Sequence, residues 1–361
     1  MRISTLLIAL TFVSGLFSCK SEKEPTKKVD FDIEIDSRER AAKANIRGLF
    51  LVNDSIGWAS GSGGTFLRMV NGETWISDTV SGYTHLDFRD VHSFDANTAL
   101  LMAAGNEGRV LRTEDGGTSW TEVYTRLDSG IFLDGMDFHD NVGYCYGDPI
   151  DGSFVLIRSE DHGKTWQDIP SEMQPMAFPN EAGFAASGTG IVVNGRDVWI
   201  ATGGDTSRIL WWNADQSSWF ESGSILSQGT GCGVFSLCYS DATKLILVGG
   251  CYLDSTRVVG NSAIIDYSDY DSENEHKWSY TTRFELESPP RGYRSCVAAA
   301  NSKAYLVTCG RTGVEYSLDE GLNWIPLSDE GYYTCALADS TGWLMGKRGK
   351  MAKLSWNSTQ K

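Results

Sequence analysis

Ser159-Glu160-Asp161-His162-Gly163-Lys164-Thr165-Trp166 is the stretch on which the reading of this 361-residue chain turns. The same order of residue types returns as Thr113–Trp120 (TEDGGTSW) and as Ser317–Trp324 (SLDEGLNW). An Asp side chain hydrogen-bonds backbone N–H groups just ahead of it, and Gly accepts the positive φ of a tight turn. The Ser or Thr two residues earlier caps that turn, and the Trp buries a large ring on the outer sheet. Each octapeptide therefore marks a hairpin, and its Asp is a structural residue.

Working outward, Trp residues in this setting fall at 75, 120, 166, 219, 278, 324 and 356, with gaps of 45, 46, 53, 59, 46 and 32. Repeats of this length, each holding several short apolar runs separated by Gly turns, are the mark of propeller blades. The first unit runs from Arg47 through IGWASGSGGTFLRM to NGETW. The fourth carries GFAASGTGIVVNG, VWIATGG and a degenerate turn. The fifth carries an acidic insertion, DYDSENEH, before Trp278. The seventh ends with the chain, about one strand short. Ahead of the first unit Val29–Asp36 alternates polar and apolar, as a strand does. A ring must close, so these residues are expected to supply the outer strand of the last blade. The fold expected is all-β: a seven-bladed β-propeller over residues 43–357, closed by an N-terminal strand. Ser37–Asn45 (SRERAAKAN) is expected to form a helical turn or two.

The first 18 residues read as an export leader: Arg2, then the apolar run Ile3–Phe17, too short to span a bilayer comfortably. Cys19 follows LFS. Residues 20–28, KSEKEPTKK, form a solvated tether within the segment 19–42. The formal charge is −16, from 31 Lys and Arg against 47 Asp and Glu, which argues against nucleic acid as a partner. Seven cysteines follow Cys19, an odd number, and none has Cys-x-x-Cys spacing beside His, so no zinc site is read. Cys232 and Cys251 could bridge within one unit; the others read as small buried apolar residues.

The three octapeptides match the Asp-box pattern, and LFSC resembles the lipobox of bacterial lipoproteins. The latter implies lipidation of Cys19 and attachment to the envelope outside the cytoplasm, with Lys20-Ser21 pointing to the outer membrane. Beyond these motifs, RGLFLVND at 47, LDGMDFHD at 133, GDPIDGSF at 147, EAGFAASGT at 181, GYRSC at 292 and TGVEYSLDEG at 312 resemble bacterial BNR-repeat propellers of the photosystem II stability/assembly-factor type. The resemblance spans nearly the whole chain after the tether and implies a seven-bladed scaffold that binds a partner protein. Such proteins are often labelled oxidoreductases, but the residues supply no cofactor motif. Gly61-Ser62-Gly63 meets Phe66 where a dinucleotide loop needs its third Gly, Gly188-Thr189-Gly190 meets Val193, and no haem or flavin motif is present.

Propellers bind ligands at the mouth of the central channel, so polar residues of the inner-strand phrases are the candidates. One group is acidic: Asp134, Asp137, Asp148, Asp151 and Glu181. The other is basic or aromatic: Arg47, Arg291, Tyr293, Arg294 and Arg311. Asp148-Pro149 and Asp151-Gly152 also suit turns, and Arg294 could neutralise an acid in the channel wall. The binding site expected for a protein or glycan of the envelope is Arg291, Tyr293, Arg294, Asp134, Asp137 and Glu181, on a monomer without cofactor or metal. The alternative is a sialidase-like glycoside hydrolase, with Tyr293 as nucleophile, Glu181 activating it and Asp134 as acid/base. Against it, the Arg-Ile-Pro expected near the first strand is absent: the two Ile-Pro pairs follow Asp168 and Trp324.

Overall fold

The strands of the computed structural model gather into seven sheets, each beginning with a strand at the centre of a ring and stepping outward. The structure describes residues 30–213, 217–223, 225–267, 281–283, 286–300 and 305–359. The leader, Cys19, the tether, Trp278 and most of the acidic insertion lie outside the described residues.

The inner strands of blades 1 to 7 are Ile46–Leu51, Asp87–Ser93, Leu133–His139, Ile191–Asn194, Gly229–Tyr239, Cys296–Ala299 and Thr334–Leu337. Each blade is antiparallel. The second strands are buried along their length, as in Ala99–Ala104 and Leu306–Gly310. Neighbouring blades cover both faces of such a strand, so it loses the polar–apolar alternation of a half-exposed sheet. Apolar side chains form one cluster at each blade-to-blade interface, including the one that joins blade 7 to blade 1 through Trp75 and Trp343. The core is thus a ring of seven seams. The turn tryptophans belong to these seams rather than to the outer face of their own sheet. Trp120 of blade 2 stands edge-on to Trp58 of blade 1 at 6.1 Å, and Trp324 packs with blade 5 residues such as Ile246.

Closure follows the expectation. Asp30–Arg38 pairs antiparallel with Met351–Thr359 as the outermost strand of blade 7, Ile33 opposite Trp356 and Ser37 opposite Ala352. No helical turn forms at Ser37–Asn45: Ser37 and Arg38 continue the strand, and the chain then bends into blade 1. Among the described residues the only helical pieces are short 3-10 turns, and no helix is long and apolar enough to cross a membrane.

The three D-x-G turns share one hydrogen-bond scheme. In the central one Ser159 Oγ accepts from Gly163 N (2.9 Å) and donates to Asp161 Oδ1 (2.9 Å). Asp161 in turn accepts from Thr165 N (2.9 Å) and Thr165 Oγ1 (2.7 Å). Thr113/Asp115/Ser119 and Ser317/Asp319/Asn323 repeat it. The Ser119 hydroxyl and N–H hold the Asp115 carboxyl down to about 2.

One departure from seven equal blades shapes the centre of the ring. Ahead of the inner strand of blade 4, Ile191–Asn194, the segment GFAASGTG (183–190) does not lie in the sheet. Two flanking pairs, Glu181–Ala182 and Gly203–Gly204, extend the sheet of blade 5 to six strands. Residues between them and blade 4 pass through the central channel.

Candidate functional site

The segment Gly183–Gly190 touches most of the ring. Arg47 of blade 1 donates to Ala186 O (3.5 Å), and Arg89 of blade 2 to Ala185 O (3.4 Å). Ser187 Oγ donates to Ser295 O (2.8 Å) at blade 6, and Thr189 Oγ1 lies 2.6 Å from Ser236 Oγ of blade 5. Gly188 has φ 79°, and a Cβ there would sit 2.0 Å from the Asp90 carboxylate, so only Gly allows this approach. The segment is a plug, and the channel is filled by the chain itself.

Beneath and around this plug lie most of the residues singled out in the sequence. Asp134 is wholly buried, and neither carboxylate oxygen has a hydrogen-bond partner; the Ala185 N–H approaches without closing a bond of good geometry. Burial, reinforced by the nearby Asp148 charge, drives its carboxyl well above the usual range. Asp137 accepts from Val193 N (2.7 Å), and burial raises its carboxyl to about 7. Asp148 accepts from Gly183 N (2.9 Å) at the start of the plug. Asp151 occupies a turn at φ 53°, as its Asp-Gly spacing suggested.

Glu181 is part of a closed polar network. Arg208 Nε and Nη2 donate to its two oxygens at 2.8 and 2.9 Å, Thr202 Oγ1 at 2.6 Å and Phe178 N at 2.8 Å. Arg294 is likewise matched with Glu315, at 2.6 and 2.5 Å, with both side chains fully buried. This is the neutralised acid in the channel wall that the sequence suggested, its partner being Glu315 of blade 6. Tyr293 is buried edge-on to Phe235 at 4.8 Å, and burial pushes its phenol up, the reverse of an activated nucleophile. Arg291 reaches solvent, yet pairs with Glu315 (3.0 Å) and Asp329 (2.8 Å). Glu181, Tyr293 and Asp134 therefore do not converge: none hydrogen-bonds another, and each is held by its own neighbours.

The open site lies one step outward, on the face where the chain passes from blade to blade. A cavity of about 740 Å³ is lined by Arg40, Arg311, Tyr332, Tyr333, Lys347, Arg348 and Lys350. Every charged side chain in that lining is a cation, on a chain of net charge −16. Lys350 is paired with Glu330 (2.8 Å); Arg40, Lys347 and Arg348 have no ion-pair partner among the described residues. The aromatic neighbours are engaged by cations: Arg47 stands 4.6 Å over Tyr333, and Arg311 5.5 Å over Tyr252. Exposed apolar residues occur on the same face, at Met176, Phe178, Leu253 and Val259.

Ring closure builds this cavity. Arg40 lies just after the closing strand, and Lys347–Lys350 lies some 300 positions later in the turn between two strands of blade 7. Arg348 N donates to Asn45 Oδ1 (3.1 Å), and Gly349, at φ 74°, lets Ala42 O come within 1.8 Å of where a Cβ would stand. Sequence reasoning passed over Arg40, Lys347, Arg348 and Lys350. The signal was present as KRGK in an otherwise acidic chain, but nothing local joined it to Arg40.

The chain is similar in fold to YCF48. A structure of YCF48 bound to D1 peptide superposes with a TM-score of 0.62 at 17% identity, covering 91% of this chain and 97% of that one. YCF48 from Cyanidioschyzon merolae gives 0.61 at 15% identity, covering 89% and 98%. A GH74 xyloglucanase from Xanthomonas campestris gives 0.60 at 14% identity over 89% of this chain, but only 53% of the enzyme. No family model and no curated protein matches the sequence. At these identities the likeness is one of fold, and it agrees with the seven-bladed ring described above.

Proposed function

We propose that the protein is a non-catalytic scaffold of the bacterial cell envelope. It is tethered outside the cytoplasm through lipid on Cys19, and Lys20-Ser21 favours the outer membrane as its destination. Its docking face is the one that carries the cationic cavity, and its partner is a protein that presents an acidic segment. The observation that carries this reading is the lining of Arg40, Arg311, Lys347 and Arg348 in a chain of net charge −16. Guanidinium groups take carboxylates bidentately, and several unpaired cations around one cavity attract an acidic segment in a way one surface pair does not. The neighbouring apolar side chains supply the area a protein partner needs. The YCF48 structure with a bound D1 peptide shows that this fold can hold a peptide, and the Cys232–Cys251 bridge suits an oxidising compartment.

The test is binding of fluorescent acidic peptides against neutral counterparts of equal length, followed by anisotropy. Acidic peptides should bind more tightly, the more so at low salt. Arg348→Glu combined with Lys347→Glu should weaken that binding at least about tenfold, some 1.4 kcal/mol. Equal binding of acidic and neutral peptides, or binding untouched by the double substitution, would remove the cavity from the function. A glycoside hydrolase would instead turn over an aryl glycoside and lose that turnover in Glu181→Gln.

A further inference from the structure

A second concavity lies on the flank of the ring, far in the chain from the cationic cavity. The outer strand of blade 3 is only Gln167–Asp168, against Trp75–Thr79 in blade 1 and Thr121–Arg126 in blade 2. The adjoining sheet of blade 4 therefore extends past its cover. Trp212 and Trp219, register partners on the two outer strands of blade 4, are left partly exposed towards the gap. The result is a cleft of about 590 Å³.

Its floor is aromatic. Trp212 and Trp219 lie 5.6 Å apart, and the indole N–H of Trp219 donates to Met173 O (2.8 Å), which fixes the ring. Tyr144 forms the inner wall, with the Arg158 guanidinium 5.6 Å above its ring. The rim is polar and carries both donors and acceptors. Arg158 Nε is buried without a hydrogen-bond partner, although the same side chain pairs with Glu160 (2.8 Å). Arg196 is exposed and has no ion-pair partner among the described residues. Gln167 supplies an amide and Glu160 a carboxylate, whereas the Asp168 carboxylate at the same rim already accepts from Tyr124 (3.0 Å) and Arg126 (3.2 Å).

We propose that this cleft binds a saccharide. A pyranose ring has an apolar C–H face that packs on an indole, and a rim of hydroxyls that both donate and accept. That is the complement of an aromatic floor ringed by guanidinium, amide and carboxylate groups. A cleft of this volume takes roughly two to three sugar rings. An added peptide strand fits less well, because the free edge of Ser153–Ser159 is already used: Phe154 N donates to Pro175 O (3.0 Å), and Leu156 O accepts from Ile169 N (2.9 Å). The inference is independent of the cationic cavity.

The purified protein is titrated with cellohexaose, chitohexaose, a xyloglucan oligosaccharide and an oligogalacturonate, read by calorimetry and by tryptophan fluorescence. At least one should bind, and Trp212→Ala and Trp219→Ala should each weaken it about tenfold or more, while Trp219→Phe keeps most of the affinity. Arg196→Ala, an exposed change that leaves the fold intact, should weaken it severalfold. The Arg348→Glu, Lys347→Glu variant should bind saccharide as the parent does. No binding of any of the four at about millimolar concentration, or binding that survives loss of both tryptophans and of Arg196, would overturn the proposal. Competition for the cleft by a peptide in place of a saccharide would do the same.

Discussion

At the residue scale, Asp134, Glu181, Tyr293 and Arg294 are buried, and burial decides how each behaves. Arg294 and Glu315 neutralise one another in full burial, and removing one partner of such a pair costs about 3–5 kcal/mol. Asp137 offers a sharper test. Burial raises its carboxyl in the folded state to about 7, from about 3.8 when unfolded. Between those values the folded chain holds a proton that the unfolded chain has released, so stability falls as pH rises from 4 to 7. Asp137→Asn keeps an acceptor for Val193 N and removes the charge. It should stabilise the protein at pH 8 by roughly 2 kcal/mol and do little at pH 4. Urea unfolding at the two pH values measures this; equal effects at both would show that Asp137 ionises without penalty. The residue types were legible in the sequence. Their partners were not, since Glu181 meets Arg208, and Arg294 meets Glu315, only when the fold brings separate segments together.

At the scale of elements, hairpins were the most legible feature. A D-x-G turn is satisfied by atoms within five residues, so Ser159, Asp161, Gly163 and Thr165 declare it without outside help. The segment 183–190, in the first phrase of the fourth unit, forms the plug, because its small residues and Gly188 fit the space between inner strands. The Cys232–Cys251 bridge, one option in the sequence, is formed between the inner two strands of blade 5. It closes a short loop, with a sequence separation of 19, and on loop entropy contributes roughly 3 kcal/mol. Reductant should lower the urea midpoint of the parent and leave that of a Cys232→Ser, Cys251→Ser variant unchanged. Identical midpoints with and without reductant would mean the bridge adds no stability.

At the scale of the molecule, one strand holds the ring shut. Asp30–Arg38 pairs along its whole length with Met351–Thr359, and Ile33 is buried in the seam between blades 6 and 7. A chain that begins at Lys43 leaves an unpaired edge on blade 7 and exposes that seam. It should unfold at a clearly lower temperature than a chain that begins at Val29, and Ile33→Ala alone should cost about 2 kcal/mol. Matching thermal transitions for the two chain lengths would show that closure is dispensable. The same closure assembles the cationic cavity, so the shortened chain should also lose acidic-peptide binding.

The sequence by itself determined the turns, the number of blades and the source of the closing strand. Those follow from residues close together in the chain and from a repeat that returns at intervals of 32 to 59 positions. Tertiary structure alone decided what is open and what is closed. The plug fills the channel where a mouth was expected, Arg40 and Arg348 meet across about 300 positions, and a two-residue outer strand uncovers Trp212 and Trp219. Local spacing encodes a turn, because its hydrogen bonds are local; exposure depends on which distant segment comes to lie on top.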